Sequence, residues 1–505
     1  MARRGDRRRR RSRHRWKRGG RAPAADRSHR RHARDEGLLP GDLRPGLLGD
    51  PVRHARRGAG GRQRHGIRAS GVDLHALDRA CRARRRRPRV RERDDQRGTR
   101  VARRPDALRR HEGLREHEGR ARLHDPGDDR GAARRARRAV VSIRAAVLYE
   151  FERPLVVEEL ELDPPKAGEV LVRMAASGVC HSDLHVVQGV HPTKLPVVLG
   201  HEGAGIVEEV GPEVAGLAPG DHVMLSWLPY CGRCRQCARG RPNLCENVAW
   251  YDATMEDGTC RFHRNGQRIH HYNTSSFAER SVVPARTAIK VDPALPLTEL
   301  ALMGCAVMTG IGAALNTARV RPGDTAAVVG CGGVGLNVVQ GARIGGASTI
   351  VAVDVVPAKL ELARELGATH TVDASAGDPV EAVRDLVPGG VDHAFEALGR
   401  PGTIETALGL TGRGGQAVLI GMAPPDARVP LDALTLTLEE RRVRGSWYGS
   451  CVPLRDFPFL VELYRDGRLR LDPLIATCTL DDVNDAFGRM EAGETARNVI
   501  VYDTN

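Results

Sequence analysis

The glycine-rich segment Gly330–Gly335 constrains the fold of this chain more than any other feature, because it joins two apolar patterns of different period. The short apolar run Thr325–Gly330 before it is typical of a buried strand, and Gly333–Ile344 after it has the apolar spacing of a helix. The same order recurs downstream, with strands predicted at Thr349–Asp354, Val391–Leu398 and Gln416–Ile420 and a helix predicted from Pro357 to just before Gly367. Strands and helices that alternate in this way predict an α/β fold with a doubly wound parallel sheet.

A dinucleotide is the ligand that this glycine segment predicts. The segment follows a strand and opens a helix, so a tight turn lets the backbone approach a pyrophosphate while helix amides face it. Asp354 ends the next strand, where a carboxylate accepts hydrogen bonds from the adenosine ribose and would repel a 2′-phosphate. NAD is therefore predicted in preference to NADP. The residues of the motif are Gly330, Gly332, Gly333, Val334 and Gly335.

Three separated residues predict a catalytic zinc site. Cys180, His201 and Cys305 offer two thiolates and one imidazole, which leave the fourth position of a tetrahedral zinc open for chemistry. Asp183 is predicted to orient His201 through its other ring nitrogen, although a turn residue is the simpler interpretation. Glu202 has three interpretations. It is a transient extra zinc ligand, an acid that contacts the zinc ligands rather than the zinc itself, or a surface charge at the end of a strand.

A second group of cysteines predicts a closed, structural metal site. Cys231, Cys234, Cys237 and Cys245 are separated by two, two and seven residues in a segment rich in Gly, Pro and Asn. This spacing favours a structural zinc bound by four thiolates. An iron–sulfur cluster is the rival, but ferredoxin-type runs have a shorter last gap followed by Cys-Pro, and Cys245 is followed by Glu246.

The first 139 residues differ in composition from the rest of the 505-residue chain. They hold 46 of its 79 Lys and Arg residues and 18 of its 63 Asp and Glu residues, with no Phe or Tyr. Such a segment cannot bury enough apolar surface to offset its ordering entropy. Residues 1–140 are therefore predicted to be a disordered Arg-rich extension, or a GC-rich frame translated upstream of a start at Val140 or Val141. A nucleic-acid-binding tail is the alternative.

The remainder is net acidic and long enough for two ordinary domains. A hairpin of Ile143–Glu150 with Leu155–Leu162 begins a β-rich region, and Pro229–Asn273 is predicted to be loop-rich. No run of about 18 apolar residues predicts a membrane span, and no apolar core of a signal peptide is visible. Nine of the eleven cysteines lie between Cys180 and Cys451 and are interpreted as reduced thiols, which predicts a cytoplasmic protein.

From about Ile143 to Tyr502 the chain is similar to the zinc-dependent medium-chain alcohol dehydrogenases. The motifs that carry this resemblance are GVCHSDLH, LGHEGAGIVEEVG, PGDHV, the CxxCxxC segment, GCGGVG and VAVD. The segment GSWYGSCVPLRDFP at 445–458 resembles the class III-like branch, which includes mycothiol- and glutathione-linked formaldehyde dehydrogenases.

The resemblance implies a GroES-like β-rich catalytic domain at 141–314, a Rossmann NAD-binding domain at 315–455 and a C-terminal return to the catalytic domain at 456–505. It implies hydride transfer between a primary alcohol, or an aldehyde adduct, and NAD, with one catalytic and one structural zinc per chain in a homodimer or homotetramer. A mycothiol- or glutathione-dependent formaldehyde (S-hydroxymethyl thiol) dehydrogenase is the alternative. A non-catalytic protein that binds NAD or nucleic acid is a second alternative.

Carried over residue by residue, the resemblance also implies roles around the substrate and cofactor. Ser182 would take the substrate proton, His185 would relay it, and Thr309 would lie near the nicotinamide. His181 and Arg497 would contact the pyrophosphate, and Lys359 the adenosine ribose. The family's catalytic zinc ligands fall on Cys180, His201 and Cys305. The Arg-rich extension has no counterpart in the family, and the polar insertion at 257–272 leaves the substrate open.

Overall fold

A computed structural model of the chain describes residues 140–246 and 252–503. The predicted Arg-rich extension lies outside the described residues. The strands are β1 Val141–Leu148, β2 Val156–Leu162, β3 Glu169–Val179, β4 Val197–Val198, β5 Glu202–Val210, β6 His222–Leu225, β7 Phe262–Arg264, β8 Gln267–His271, β9 Arg280–Pro284, β10 Ala288–Lys290, β11 Thr325–Val329, β12 Thr349–Asp354, β13 His370–Asp373, β14 Val391–Glu396, β15 Thr411–Leu419, β16 Arg442–Gly445, β17 Ile475–Cys478 and β18 Arg497–Val501. The α-helices are α1 His181–Val187, α2 Arg235–Ala238, α3 Leu297–Leu302, α4 Met308–Gly312, α5 Gly333–Gly345, α6 Pro357–Leu366, α7 Pro379–Leu386, α8 Pro401–Leu410, α9 Ala433–Leu438, α10 Pro453–Arg465 and α11 Val483–Glu491.

The predicted parallel sheet is confirmed. Its six strands lie in the order β13-β12-β11-β14-β15-β16, and every neighbouring pair is parallel. Alternate residues of β11 face opposite layers: Ala326 and Val328 pack in the same core as Leu336 of α5, whereas Ala327 packs in the same core as Val383 of α7. Both faces of the sheet are therefore covered by helices, which explains why its strands are apolar runs.

The β-rich part of the chain forms two sheets. Strands β1, β2, β7, β8 and β4 close into a small barrel, and a second sheet has the order β10-β6-β5-β3-β18-β17, with β9 also paired to β3. The predicted hairpin is present, because β1 and β2 are antiparallel with Val141 opposite Leu162 and Val147 opposite Val156. Strand β18 pairs antiparallel with β3, so the end of the chain lies beside the strand that leads into Cys180.

One hairpin in this region was not predicted, although most of the described part of Pro229–Asn273 is irregular, as expected. The segment Pro229–Asn273, predicted to be loop-rich, contains the hairpin β7–β8, which contributes two strands to the barrel. Phe262 and Ile269 face each other across the hairpin and are fully buried, but polar neighbours surround each of them. A strand with a single buried apolar residue shows no detectable alternation of apolar and polar positions, which is why the pattern was not visible in the sequence.

The continuous helical segment Leu297–Ala318 is long and apolar enough to cross a membrane, but 78% of its apolar window is buried inside the protein. It is a core helix that packs closely against α5, where a Cβ atom on Gly310 would lie 2.5 Å from the carbonyl oxygen of Val334. Between α3 and α4 the helix widens into a π-turn at Met303–Val307. Such turns often occur at functional sites, and this one carries Cys305.

Candidate active site

Four predicted metal-binding side chains meet beside the π-turn of the core helix. Cys180 directly precedes α1, His201 directly precedes β5, and Cys305 lies on the π-turn. Their ligand atoms and a carboxylate oxygen of Glu202 all lie within 4.8 Å of one another, and all four residues are buried. Two sulfur donors and one imidazole suit zinc, so this group, called the catalytic cluster below, fits the metal predicted for it.

The imidazole of His201 is held in one orientation by Asp183. Its Nδ1 lies 3.1 Å from Oδ1 of Asp183, which also accepts a hydrogen bond from the backbone N–H of Gly200 at 3.0 Å. The other ring nitrogen, Nε2, is buried and has no hydrogen-bond partner among the described residues. Burial lowers the pKa of His201, but the carboxylate of Asp183 outweighs it, so the pKa lies well above its ordinary value. A buried ring nitrogen that has no hydrogen-bond partner and lies beside two thiols indicates a metal ligand.

The two thiols of the catalytic cluster shift each other's pKa in opposite directions. A hydrogen bond from Cys305 is the main cause that holds the pKa of Cys180 well below its ordinary value, and the same interaction raises the pKa of Cys305. One thiolate is thus already favoured before any cation arrives. Since zinc binds thiolates, binding would displace the remaining proton.

Glu202 and Arg497 form a buried ion pair between the catalytic cluster and the glycine segment. The guanidinium of Arg497 contacts one carboxylate oxygen of Glu202, while the other oxygen has no partner among the described residues. The side chain of Arg497 also lies so close to Gly333 that a Cβ atom there would overlap it. Sequence analysis did not foresee this pair, because the two residues are 295 positions apart.

The glycine segment has the backbone shape that the motif predicts. Gly330 has φ of +91°, a conformation that L-residues avoid, and a Cβ atom on Gly335 would overlap the carbonyl oxygen of Gly330. Helix α5 begins at Gly333 with its N-terminus at this turn. Asp354 lies beside it, because its Oδ2 accepts a hydrogen bond from the N–H of Cys331 at 2.7 Å.

A cavity of about 600 Å³ joins the catalytic cluster to the glycine segment. Besides the three zinc ligands, Ser182, His185 and Thr309 line it among the residues given roles by resemblance, together with Val334 of the glycine segment. Burial lowers the pKa of His185, and the nearby His191 adds to this effect. His181 and Lys359 lie outside the cavity wall. Sequence analysis did not identify the rest of the wall, which includes His191, Thr193, Trp227, Tyr272, Asn273, Trp447 and Tyr448.

The four remaining predicted metal ligands form a separate sulfur cluster. The thiols of Cys231, Cys234, Cys237 and Cys245 lie within 4.8 Å of one another. Backbone N–H groups point at the sulfurs, as that of Cys234 does toward Cys231 at 3.3 Å. Donation from the N–H of Cys237 is the main cause that lowers the pKa of Cys234 to about 6. These atoms leave no obvious position for a substrate, as expected for a structural site.

Comparison with known proteins decides the family. Residues 166–293 match the alcohol dehydrogenase GroES-like domain, and residues 333–466 match the zinc-binding dehydrogenase domain. The chain is 42% identical over 374 residues to an NDMA-dependent alcohol dehydrogenase of Amycolatopsis methanolica, an alignment that covers 72% of this chain and 99% of that protein. The chain belongs to the zinc-dependent medium-chain alcohol dehydrogenases.

Other members of this alcohol dehydrogenase family agree with the class III-like resemblance. An S-(hydroxymethyl)glutathione dehydrogenase of Synechocystis is 42% identical over 367 residues, covering 71% of this chain and 99% of the relative. The crystal structure of benzyl alcohol dehydrogenase from Acinetobacter calcoaceticus superposes with a TM-score of 0.69 at 34% identity, covering 72% of this chain and all of that one. The predicted fold class is confirmed, and the protein is an oxidoreductase of a family that uses zinc and a nicotinamide dinucleotide.

Proposed function

We propose that the protein transfers a hydride between a primary alcohol and NAD, producing the aldehyde, and catalyses the reverse reaction. The observation that carries this proposal is a single cavity that is lined by the catalytic cluster, by Thr309 and by Val334 of the glycine segment. An alcohol held at the cluster would therefore lie in the same cavity as the nicotinamide of a dinucleotide whose pyrophosphate is held at the glycine segment. The walls would exclude water and align the two reactants.

Two zinc ions per chain are part of the proposal. Cys180, His201 and Cys305 would hold the catalytic ion, with Glu202 as a reserve ligand whose free oxygen lies within reach. The catalytic ion supplies Lewis acidity that lowers the pKa of a bound alcohol hydroxyl. Cys231, Cys234, Cys237 and Cys245 would hold the structural ion.

Ser182 and His185 are proposed to carry the proton away from the alcohol. The Ser182 hydroxyl lies 3.8 Å from the sulfur of Cys180 and lines the cavity, so it reaches a group bound at the cluster. His185 lies one helical turn further along α1, and its Nδ1 has no partner among the described residues. The imidazole can accept a proton because burial keeps it neutral near pH 7.

The proposed activity is tested by incubating the purified full-length protein with NAD and a panel of primary alcohols and following absorbance of reduced NAD, with metal analysis alongside. We expect turnover and two zinc ions per chain. Ser182→Ala should lower kcat by roughly 10²- to 10⁴-fold, the range for positioned acid–base groups, and Ser182→Thr should restore most of it. Turnover by Ser182→Ala equal to that of the unchanged protein would contradict the proton route.

NAD is proposed as the preferred cofactor. The carboxylate of Asp354 accepts a hydrogen bond from the N–H of Cys331 through one oxygen. Its other oxygen accepts hydrogen bonds from the N–H groups of Val355 and Val356, at 2.8 and 3.0 Å. These contacts hold a negative charge at the end of β12, where an adenosine ribose would lie.

Lys359, on the helix that follows, is proposed to contact that ribose. His181 and Arg497 are proposed to contact the pyrophosphate, and the Nε of Arg497 is unpartnered among the described residues.

Replacing Asp354 with glycine should raise kcat/KM for NADP relative to NAD by at least about tenfold, because like-charge repulsion of the 2′-phosphate is removed. The measurement is initial rate against each cofactor at one alcohol concentration. Asp373→Gly, which changes a carboxylate at the end of the neighbouring strand β13, is the matched control and should leave the ratio unchanged. An unaltered preference in Asp354→Gly would argue against the ribose contact.

A homodimer or homotetramer is proposed as the working form. Strand β16 is the edge of the parallel sheet, and all four of its residues are exposed. Beside it in sequence, Leu431, Leu434 and Leu438 are 55–72% exposed. An uncovered strand edge with apolar neighbours favours pairing with a second copy. Sedimentation of the full chain would test this, and a monomer at micromolar concentration would contradict it.

The division into a catalytic domain at 141–314, a cofactor domain at 315–455 and a C-terminal return at 456–505 is also proposed. Pairing of β18 with β3 supports the last part. A cytoplasmic location is proposed from the ten described cysteines, all of which are free thiols.

A further inference from the structure

We infer that the substrate is an uncharged alcohol that carries an aromatic ring. The inference rests on the proposed function and specifies the substrate class that the same cavity accepts. It differs from a small aliphatic alcohol and from the anionic thiol adduct that one of the relatives is named for.

Aromatic side chains line the cavity from the catalytic cluster outward. The rings of Trp227 and Tyr272 lie edge-on to His201, with centroids 6.4 and 6.0 Å away. Trp227 in turn contacts Trp447 in a T-shaped arrangement at 5.3 Å and Tyr448 in a tilted one at 4.7 Å. Edge-to-face clusters of this kind can accept a further ring, because aromatic pairs favour these geometries over a face-to-face sandwich.

Hydrogen bonds to the protein hold Tyr448 and the backbone of Trp447 in place. The hydroxyl of Tyr448 donates to the carbonyl oxygen of Gly304 at 2.5 Å, next to Cys305 in the π-turn. The backbone of Trp447 is held by Asn243, because its carbonyl oxygen accepts a hydrogen bond from the side-chain amide of Asn243 at 3.1 Å. The rings are thus held in place before any substrate arrives, which reduces the ordering cost of binding.

The cavity offers no partner for a charged substrate group. Among its described lining residues there is no Lys, Arg, Asp or Glu, and Leu398, Ile420 and Met422 extend the apolar wall. Lys194, which follows the lining residue Thr193, forms an ion pair with Asp252 at 3.3 Å. Burial lowers the pKa of the lining residue His191, so its imidazole is neutral near pH 7.

A glutathione adduct carries two carboxylates. Proteins bind such groups with Arg or Lys, and burying a carboxylate without a partner costs several kcal/mol. A benzyl-type alcohol, by contrast, exchanges water for contacts with the aromatic side chains near the catalytic cluster. The wall chemistry therefore favours a neutral ring over an anionic adduct.

The test compares four probes with the full-length protein and NAD: benzyl alcohol, ethanol, 4-(hydroxymethyl)benzoate and S-(hydroxymethyl)glutathione formed from formaldehyde and glutathione. We expect kcat/KM for benzyl alcohol to exceed that for ethanol by roughly 10- to 100-fold, the value of burying a ring. The benzoate differs only by its carboxylate and should be at least about tenfold poorer than benzyl alcohol. Greater efficiency with ethanol or with the glutathione adduct would overturn the inference.

Variants of Trp447 connect this selectivity to the aromatic wall. Trp447→Ala should reduce the ratio of kcat/KM for benzyl alcohol over ethanol by about tenfold, and Trp447→Phe should restore much of it. Phe459→Ala, which removes an exposed ring on α10, is the matched control and should leave the ratio unchanged. A ratio that is the same in Trp447→Ala as in the unchanged protein would contradict the inference.

Binding separates this inference from the proposed function. Benzyl alcohol should quench tryptophan fluorescence in a saturable way, and the quenching should weaken in Trp447→Ala beyond the loss of one fluorophore. Saturable quenching without reduction of NAD by any alcohol would contradict the proposed function while supporting the aromatic site. Absence of quenching at concentrations that saturate turnover would contradict the aromatic site alone.

Discussion

Replacing Cys180 with alanine is expected to lower kcat for alcohol oxidation by on the order of 10³- to 10⁴-fold, because a catalytic metal supplies several kcal/mol of charge stabilisation that the remaining residues cannot replace. Cys180 is the residue of the catalytic cluster whose thiolate the surroundings favour most, since its pKa lies well below the ordinary value. Removal of that negative charge leaves one thiol, one imidazole and the carboxylate of Glu202, which Arg497 already holds, so a tight zinc site is lost. His201→Ala should have an effect of similar size.

Two measurements and a control variant distinguish this outcome from a general loss of structure. Metal analysis should find one zinc per chain instead of two, and NAD binding measured by calorimetry should persist, because Cys180 does not contact Asp354 or line the glycine turn. Cys478→Ala removes a thiol of β17 that lies outside both sulfur clusters and serves as the control. Full turnover by Cys180→Ala with its zinc content unchanged would refute the assignment of the catalytic cluster.

The parallel sheet could be predicted from the sequence because each central strand is an apolar run long enough to recognise. Strands β11 and β12 are buried on both faces, and glycine and proline mark the ends of the helices that follow. The hairpin β7–β8 could not be predicted, since its stability depends on partners far away in sequence. Arg261, just before β7, is completely buried and donates to Glu169 from Nε at 2.9 Å.

The same distinction applies to the candidate site. The thiols, His201 and the glycines could be identified because local spacing and residue type restrict what they can do. The wall of the cavity could not, because Trp227 and Trp447 meet only after β6 and β16 are placed in different sheets. Substrate choice depends on such contacts between distant segments, and for that reason the motifs left it open.

The pair Glu202–Arg497 illustrates what tertiary structure adds to a motif. Glu202 follows His201 in the chain, and Arg497 lies against Gly333, so one ion pair connects the catalytic cluster with the glycine turn. Burial raises the pKa of the Glu202 carboxyl to about 7, and the nearby guanidinium acts in the opposite direction. A cofactor phosphate that attracted Arg497 would weaken its hold on Glu202, whose carboxylate already lies within 4.8 Å of the thiols and the imidazole.

Replacing Cys237 with alanine is expected to lower the thermal unfolding midpoint by about 10 °C or more, since loss of a structural metal costs several kcal/mol in a domain of this size. In small peptides a structural zinc contributes about 10–16 kcal/mol of apparent binding free energy near pH 7. The segment around the sulfur cluster contains only the four-residue helix α2 and a short 3₁₀ turn, and its described part has few other buried contacts. Burial raises the pKa of the Cys237 thiol to about 12, so this thiol stays protonated without a cation. Four thiols then lie within 4.8 Å of one another with no metal to hold them together.

This loss should also reach the active site, because Asn243, between Cys237 and Cys245, anchors the carbonyl oxygen of Trp447. Differential scanning calorimetry with metal analysis measures the effect, and kcat/KM for benzyl alcohol should fall more than that for ethanol as the aromatic wall loosens. Cys478→Ala again serves as the control for thiol removal. An unfolding midpoint and a zinc content equal to those of the unchanged protein would show that this loop does not depend on a metal, and the interpretation of its four thiols as a structural site would then be wrong.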